Sequence, residues 1–292
     1  LNNNGVDFYT GVPDSLLKEF CLCVDDKASK KKHIITANEG NAIALAAGYH
    51  LASKKIPLVY MQNSGLGNCV NPLLSLCDPE VYSIPLILLI GWRGEPGIDD
   101  EPQHIKQGMK QVELLESMDI PFETISLNEK EIDKKIHKVV IKASKENRPV
   151  AIVVKKGTFD SYNTKKQKIE MENDLVMREK SLEIILNQLD ESTLVVSTTG
   201  KTSREIFEIR KKNESNHDKD FLTVGSMGHC SSIALGIALE SPQKKIVCID
   251  GDGALIMHMG ALATIGKLAP KNFYHILLNN FVHESVGSQK TS

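Results

Sequence analysis

Short, nearly unbroken apolar runs of strand length constrain this chain most. They fall at 57–61, 86–90, 150–154, 194–197, 246–249 and 275–278, and most are rich in leucine or β-branched residues. A strand with one wet face alternates apolar and polar residues. A run that is apolar on consecutive positions predicts a parallel strand covered on both faces. Between the runs lie segments of helical period. Asp14 is placed to cap a helix through residue 24, with Leu16, Leu17 and Phe20 on one face. A second helix is predicted over 39–52, where Ile43, Ala47 and Leu51 repeat at i, i+4 and i+8. Further helices are predicted over 129–144, 177–189, 202–211, 231–240 and 259–268. The alternation predicts an α/β fold of two doubly wound parallel sheets.

The rhythm breaks after Lys155, where lysines, acids and amides replace the apolar period. The stretch 158–174 reads as a linker between units over 1–157 and 175–292. The second unit shows only three strand candidates, so its sheet is expected to be incomplete. The chain starts at Leu1 and ends on a polar stretch, and both ends are expected to be clipped. With 35 basic and 37 acidic residues, bulk charge gives no reason to expect nucleic acid as a partner. No apolar run approaches the roughly 20 residues of a membrane span, and residues 1–7 show no basic-then-apolar leader. The six cysteines form no CxxC pair and assemble no four-ligand zinc spacing, so they read as reduced core residues of a cytoplasmic protein.

Chemistry concentrates after the strand at 246–249. Gly251-Asp252-Gly253 follows it, then small residues, then a strand ending in Asn279-Asn280. A right-handed crossover makes these two strands parallel and brings their carboxyl ends to the same edge. A carboxylate beside an amide oxygen makes a hard partial shell suited to Mg²⁺, which takes its remaining oxygens from phosphate and water. The glycines let a diphosphate approach the backbone. A plain glycine turn with an incidental asparagine pair is the competing reading. Gly65-Leu66-Gly67 could suggest a dinucleotide loop, but Val70 stands where its third glycine belongs.

Gly-Asp-Gly, about 25 residues and Asn-Asn closing a strand together resemble the thiamine diphosphate motif. The resemblance implies a thiamine diphosphate-binding fold, with Asp252, Asn280 and the carbonyl of Val282 holding Mg²⁺. It implies cofactor contacts from Gly225, Ser226, Met227, Gly251, Asp252, Gly253, Ala254 and Asn280, Met227 being the apolar wedge. Glu39, opening the small-residue segment 39–49, would hydrogen-bond the pyrimidine N1′ and favour the imino form that removes the thiazolium C2 proton. Alone, such a glutamate reads as a surface residue compensating the helix dipole.

Thr10-Gly11-Val12-Pro13-Asp14-Ser15, Asn63-Ser64-Gly65-Leu66-Gly67-Asn68, Gly91-Trp92-Arg93-Gly94, Asp100-Glu101-Pro102-Gln103-His104, Thr199-Gly200-Lys201-Thr202 and Ala254-Leu255-Ile256-Met257-His258 extend the likeness over essentially the whole chain. Together they resemble the phosphonopyruvate decarboxylase family, with sulfopyruvate decarboxylase as a close relative and no middle domain. Gly287-Ser288 departs from the expected glycine pair. The implied reaction decarboxylates 3-phosphonopyruvate, a small anionic 2-oxo acid, to phosphonoacetaldehyde. The implied assembly is a homo-oligomer in which Glu39 of one subunit serves the cofactor held by another. Arg93, Lys201 and Arg204 are candidate partners of the phosphonate, Arg93 first because arginine grips such groups bidentately. His104 reads either as a surface histidine or as a catalytic proton donor. Sulfopyruvate or another 2-oxo acid as substrate stays open, as does a cofactor-retaining interaction protein without activity.

Overall fold

The computed structural model describes residues 1–127, 129–164, 175–283 and 289–291. The chain divides into two compact units, essentially Leu1–Gln167 and Lys168–Ser285. In the first, strands β1 (Tyr9–Gly11), β2 (His33–Ile35), β3 (Leu58–Gln62), β4 (Ile87–Gly91), β5 (Phe122–Ile125) and β6 (Val150–Val154) form one sheet. Its order is β2-β1-β3-β4-β6-β5, and every pairing is parallel. Helices α1 (Lys18–Lys27), α2 (Glu39–Ser53), α3 (Leu66–Pro72), α4 (Pro102–Ser117) and α5 (Ile132–Glu146) cover it.

The continuous apolar runs split by alternation between two cores. Val59, Met61, Leu88, Ile90, Ala151 and Val153 face Ala42, Ile43 and Ala46 of α2 and Leu66 of α3. The intervening Leu58, Tyr60, Ile87, Leu89, Val150 and Ile152 face Cys21 and Val24 of α1 and Val139 and Ala143 of α5. A strand feeding both cores has no polar position to spare, which is why these runs read so clearly.

The second unit has a sheet of four parallel strands: β7 (Leu194–Ser197), β8 (Asp220–Leu222), β9 (Ile246–Gly251) and β10 (Phe273–Leu278), in the order β10-β9-β7-β8. Helices α6 (Arg178–Asn187) and α7 (Lys201–Lys212) pack on one face through Leu182, Leu186 and Ile206. Helix α8 (Cys230–Glu240) packs on the other through Ala234 and Ala238. Two short helices follow β9, α9 (Asp252–Met257) and α10 (Ala261–Leu268).

Several expectations are corrected. The three-strand sheet has a fourth member, β8, a three-residue edge strand that includes Asp220 and exposed Phe221, too short and mixed to show a period. The same brevity hid β1 and β2, and half-exposed residues hid β5. Asp14 caps no helix: α1 begins at Lys18, and Asp14 is fully buried. Residues 102–117 form a helix of four turns that the polar sequence Pro102-Gln103-His104 masked. Of the segment 158–174, residues from 165 lie outside those described. Phe159 packs near the Phe20 ring and the Tyr162 amide donates to Glu19 Oε2 at 2.6 Å. The Gly287-Ser288 departure also lies outside the described residues.

Candidate active site

In the first unit, Glu39 is the first residue of α2. Asn38 caps this helix, its Oδ1 accepting from the Gly40 amide at 2.7 Å. Glu39 therefore starts a helix yet points inward, with only 5% of its surface exposed. Burial raises its pKa above the ordinary carboxylate value, and a hydrogen bond from Asn68 Nδ2 to Oε2 at 2.8 Å opposes the shift in part. Gly65 makes room for the carboxyl: a Cβ there would lie 2.5 Å from Glu39 Oε1. Asn68 carried no role in the sequence, although it sits in a quoted motif. Its signal is a position on α3 that local period cannot connect to α2.

The loop after β4 forms a second polar group in this unit. Arg93 directs Nε to Asp100 Oδ2 at 2.7 Å and closes a second bond from its terminal nitrogen to Oδ1. Its other terminal nitrogen donates to Ser15 Oγ at 2.8 Å. The guanidinium hydrogen bonds hold the Asp100 carboxyl well below the usual range. The fork foreseen for a phosphonate is thus engaged by a carboxylate. Asp14 accepts from Gln62 Nε2 at 2.8 Å and from the Leu16 amide at 3.0 Å, and burial raises its pKa. His104 stands in the first turn of α4 rather than on a loop. Burial, then the Arg93 charge, lowers its pKa, and its buried Nδ1 has no hydrogen-bond partner among the described residues.

In the second unit the chain runs from β7 to β8 on one side and to β9 on the other. That reversal makes the carboxyl ends of β7 and β9 a topological switch point, where open α/β sheets take ligands. Asp252 follows β9 directly, and the register pairs Leu278 with Gly251, so Asn279 and Asn280 follow β10 at the same edge. Asp252 Oδ2 accepts from Thr291 Oγ1 at 2.8 Å. Asn280 Oδ1 accepts from the Val282 amide at 3.1 Å. Thr198, first residue after β7, has a buried hydroxyl without a partner among the described residues, and its Cγ2 would lie 3.8 Å from a Cβ on Gly251. An orphan hydroxyl beside Gly251, with a carboxylate and an amide one strand apart, fits the hard oxygen chemistry of a diphosphate and Mg²⁺.

Gly225, Ser226 and Met227 lie on the loop after β8. Ser226 is left-handed (φ 52°), and Met227 keeps 37% of its surface exposed. Gly228 (φ 90°) closes this loop onto α9, where a Cβ would stand 2.7 Å from the His258 ring. Gly253 and Ala254 are buried in α9. Lys201 and Arg204 lie in the first turn of α7, and each has an interaction partner.

Parallel doubly wound sheets with a diphosphate-compatible switch point define a class, and comparison with known proteins names it. The N-terminal TPP-binding domain model of thiamine pyrophosphate enzymes matches residues 1–114, and the C-terminal TPP-binding domain model matches residues 198–292. The chain is 33% identical to phosphonopyruvate decarboxylase of Streptomyces viridochromogenes, over 100% of this chain and 74% of that one. It is 28% identical to sulfopyruvate decarboxylase of Methanosarcina acetivorans, over 100% and 76% respectively. It is 42% identical over 107 residues to sulfopyruvate decarboxylase subunit beta of Methanococcus maripaludis, covering 37% of this chain and 55% of that one. The chain belongs to the thiamine pyrophosphate enzyme family and is a 2-oxo acid decarboxylase.

Proposed function

We propose that the chain decarboxylates 3-phosphonopyruvate to phosphonoacetaldehyde and CO2, using thiamine diphosphate and Mg²⁺. The observation that carries this reading is the 33% identity over the whole chain to a phosphonopyruvate decarboxylase. The geometry of each unit supports it independently. Bound, the cofactor supplies a nucleophilic carbon and a sink for the electron pair that CO2 leaves behind.

The chain's own residues bind, orient and move protons. Glu39 holds a proton at the pyrimidine N1′; with its pKa raised by burial it can share that proton rather than surrender it to water. Asp252, the Asn280 amide oxygen and the Val282 carbonyl hold Mg²⁺. Gly251, Gly253 and Ala254 leave the backbone open to the diphosphate, and Gly225, Ser226 and Met227 support the aminopyrimidine. His104, held neutral, presents an imidazole that can pass a proton without adding charge. Arg93, Lys201 and Arg204 are the cations proposed for the phosphonate. For Arg93 this requires sharing or releasing Asp100, since its fork is already engaged.

The active unit of this reading is a homo-oligomer in which Glu39 of one copy and Asp252 of another serve one cofactor. The reading places it in the cytoplasm, where its six free cysteines stay reduced. No described helix is long and apolar enough to cross a membrane.

Sulfopyruvate is the second reading, favoured by the 42% local identity to a sulfopyruvate decarboxylase subunit. CO2 release from phosphonopyruvate, sulfopyruvate and pyruvate, measured with cofactor and Mg²⁺ present, separates the two. The proposal expects kcat/KM for phosphonopyruvate to lead by about tenfold or more, roughly 1.4 kcal/mol of discrimination. A lead for sulfopyruvate moves the assignment to the second reading. Cofactor binding without CO2 release from any acid defeats both.

A further inference from the structure

Beneath the turn that presents Asp252, three buried side chains of the second unit converge. Cys230 is the first residue of α8, and Cys248 and Asp250 are two residues apart on β9. Their ligating atoms all lie within 4.8 Å of one another. The two sulfurs are 3.8 Å apart. A tetrahedral ion with metal–sulfur bonds of about 2.3 Å sets two thiolates roughly 3.8 Å apart. A histidine stands beside the carboxylate. His275 pairs with Cys248 in the parallel register, which puts both on one face of the sheet, and its Nε2 is 3.3 Å from Asp250 Oδ2. That contact orients the carboxylate from outside the ligand set, as partners of metal ligands do.

The surroundings make this grouping unusual. Cys230 and Cys248 belong to an apolar core with Val196, Ala234, Ala238 and Ile246. Asp250 is fully buried at its edge. A buried carboxylate costs several kcal/mol unless it is paired or bound to a metal. Among the described residues it accepts from its neighbour, the Gly251 amide, at 2.9 Å and pairs with the His275 imidazole.

We propose that Cys230, Cys248 and Asp250 bind one zinc ion through three protein ligands, separate from the Mg²⁺ site at Asp252. The donor set selects the ion: Mg²⁺ takes oxygen ligands in octahedral geometry, and Cu(I) favours soft sulfur over carboxylate. Two sulfurs and one carboxylate oxygen suit Zn²⁺. The ion would tie α8 to β9 at the sheet edge that carries Asp252. The ligands come from two elements far apart in sequence, which explains why no zinc spacing is legible along the chain. The inference rests on these side chains and not on the identity of the substrate.

The test uses the full chain, purified without chelator and dialysed against metal-free buffer with excess Mg²⁺ to fill the hard site. Elemental analysis should then find about one zinc per chain. Replacement by Co²⁺ should give the near-ultraviolet thiolate-to-metal absorption and strong visible bands of a tetrahedral cobalt site. Cys230→Ala and Cys248→Ala should each abolish the thiolate band, while Cys77→Ala, in the other unit, should keep it. Zinc far below one per chain, with no thiolate band on adding cobalt, overturns the proposal. So does a band that persists in the Cys230→Ala/Cys248→Ala double variant, or a mass showing the two cysteines joined as a disulfide. If the cysteine variants do not fold, the stoichiometry and cobalt spectrum of the parent chain decide the question alone.

Discussion

Glu39 combines two demands that oppose each other. Buried, with one side-chain hydrogen bond among the described residues, from Asn68, its carboxylate is costly to ionise, and the same cost suits the proton-sharing role proposed for it at the cofactor. Its folded pKa lies above the unfolded value of about 4.3. Below that value it is protonated in both states and costs nothing. As pH rises through the folded value, the unfolded state ionises more readily and stability falls. Glu39→Gln keeps the acceptor for Asn68 without the charge. We therefore expect the cofactor-free variant to match the parent in urea unfolding near pH 4 and to exceed it increasingly toward neutrality. A difference independent of pH would mean that Glu39 carries no raised pKa. In the loaded protein the sign reverses for function. Exchange of the thiazolium C2 proton with deuterated water should slow by roughly 10²–10⁴-fold in Glu39→Gln, and exchange at the parent's rate would remove Glu39 as the activator.

At the scale of elements, the contact of α2 with α3 positions this carboxyl. Gly65 lies against Glu39 Oε1, so Gly65→Ala must displace the carboxyl or part the helices. Overpacking of this kind costs about 1–3 kcal/mol. The expected result is a lower denaturant midpoint with an unchanged slope, together with slower C2 exchange although Glu39 is still present. An unchanged exchange rate would show that the packing does not set Glu39's position.

Much of this scale was legible. The fully buried strands β3, β4, β6 and β9 feed two cores each and so read as apolar runs. Asp252 opens a helix directly after β9, a local pattern, whereas Glu39 stood out only through the resemblance, since alone it read as a surface residue at a helix start. What stayed hidden has physical reasons. Three-residue strands are too short to display a period, and α4 begins with a polar turn and buries Gly108 and Gln111 beside Leu115, so its inner face shows no apolar period. Asn68 against Glu39, Asp100 on Arg93 and the Cys230–Cys248–Asp250 cluster are tertiary pairings, and no spacing along the chain encodes them.

For the whole molecule, the central claim is that the two units serve one cofactor. In that proposal Glu39 would handle the proton at one end, and Asp252 would hold the metal at the other. Each unit has its own sheet and cores, so a substitution in one should leave the other folded. Asp252→Ala should then lower Mg²⁺-dependent cofactor affinity by well over tenfold, more than about 1.4 kcal/mol, with the thermal transition of the cofactor-free protein little changed. Mixing Glu39→Gln with Asp252→Ala, after subunit exchange verified by native mass spectrometry, tests the claim most directly. Where sites form between copies, a mixed dimer contains one site with both residues intact. CO2 release should then recover from near zero to about a quarter of the parent's rate for randomly mixed two-fold dimers. A mixture that exchanges subunits yet stays as inactive as its components would contradict the account.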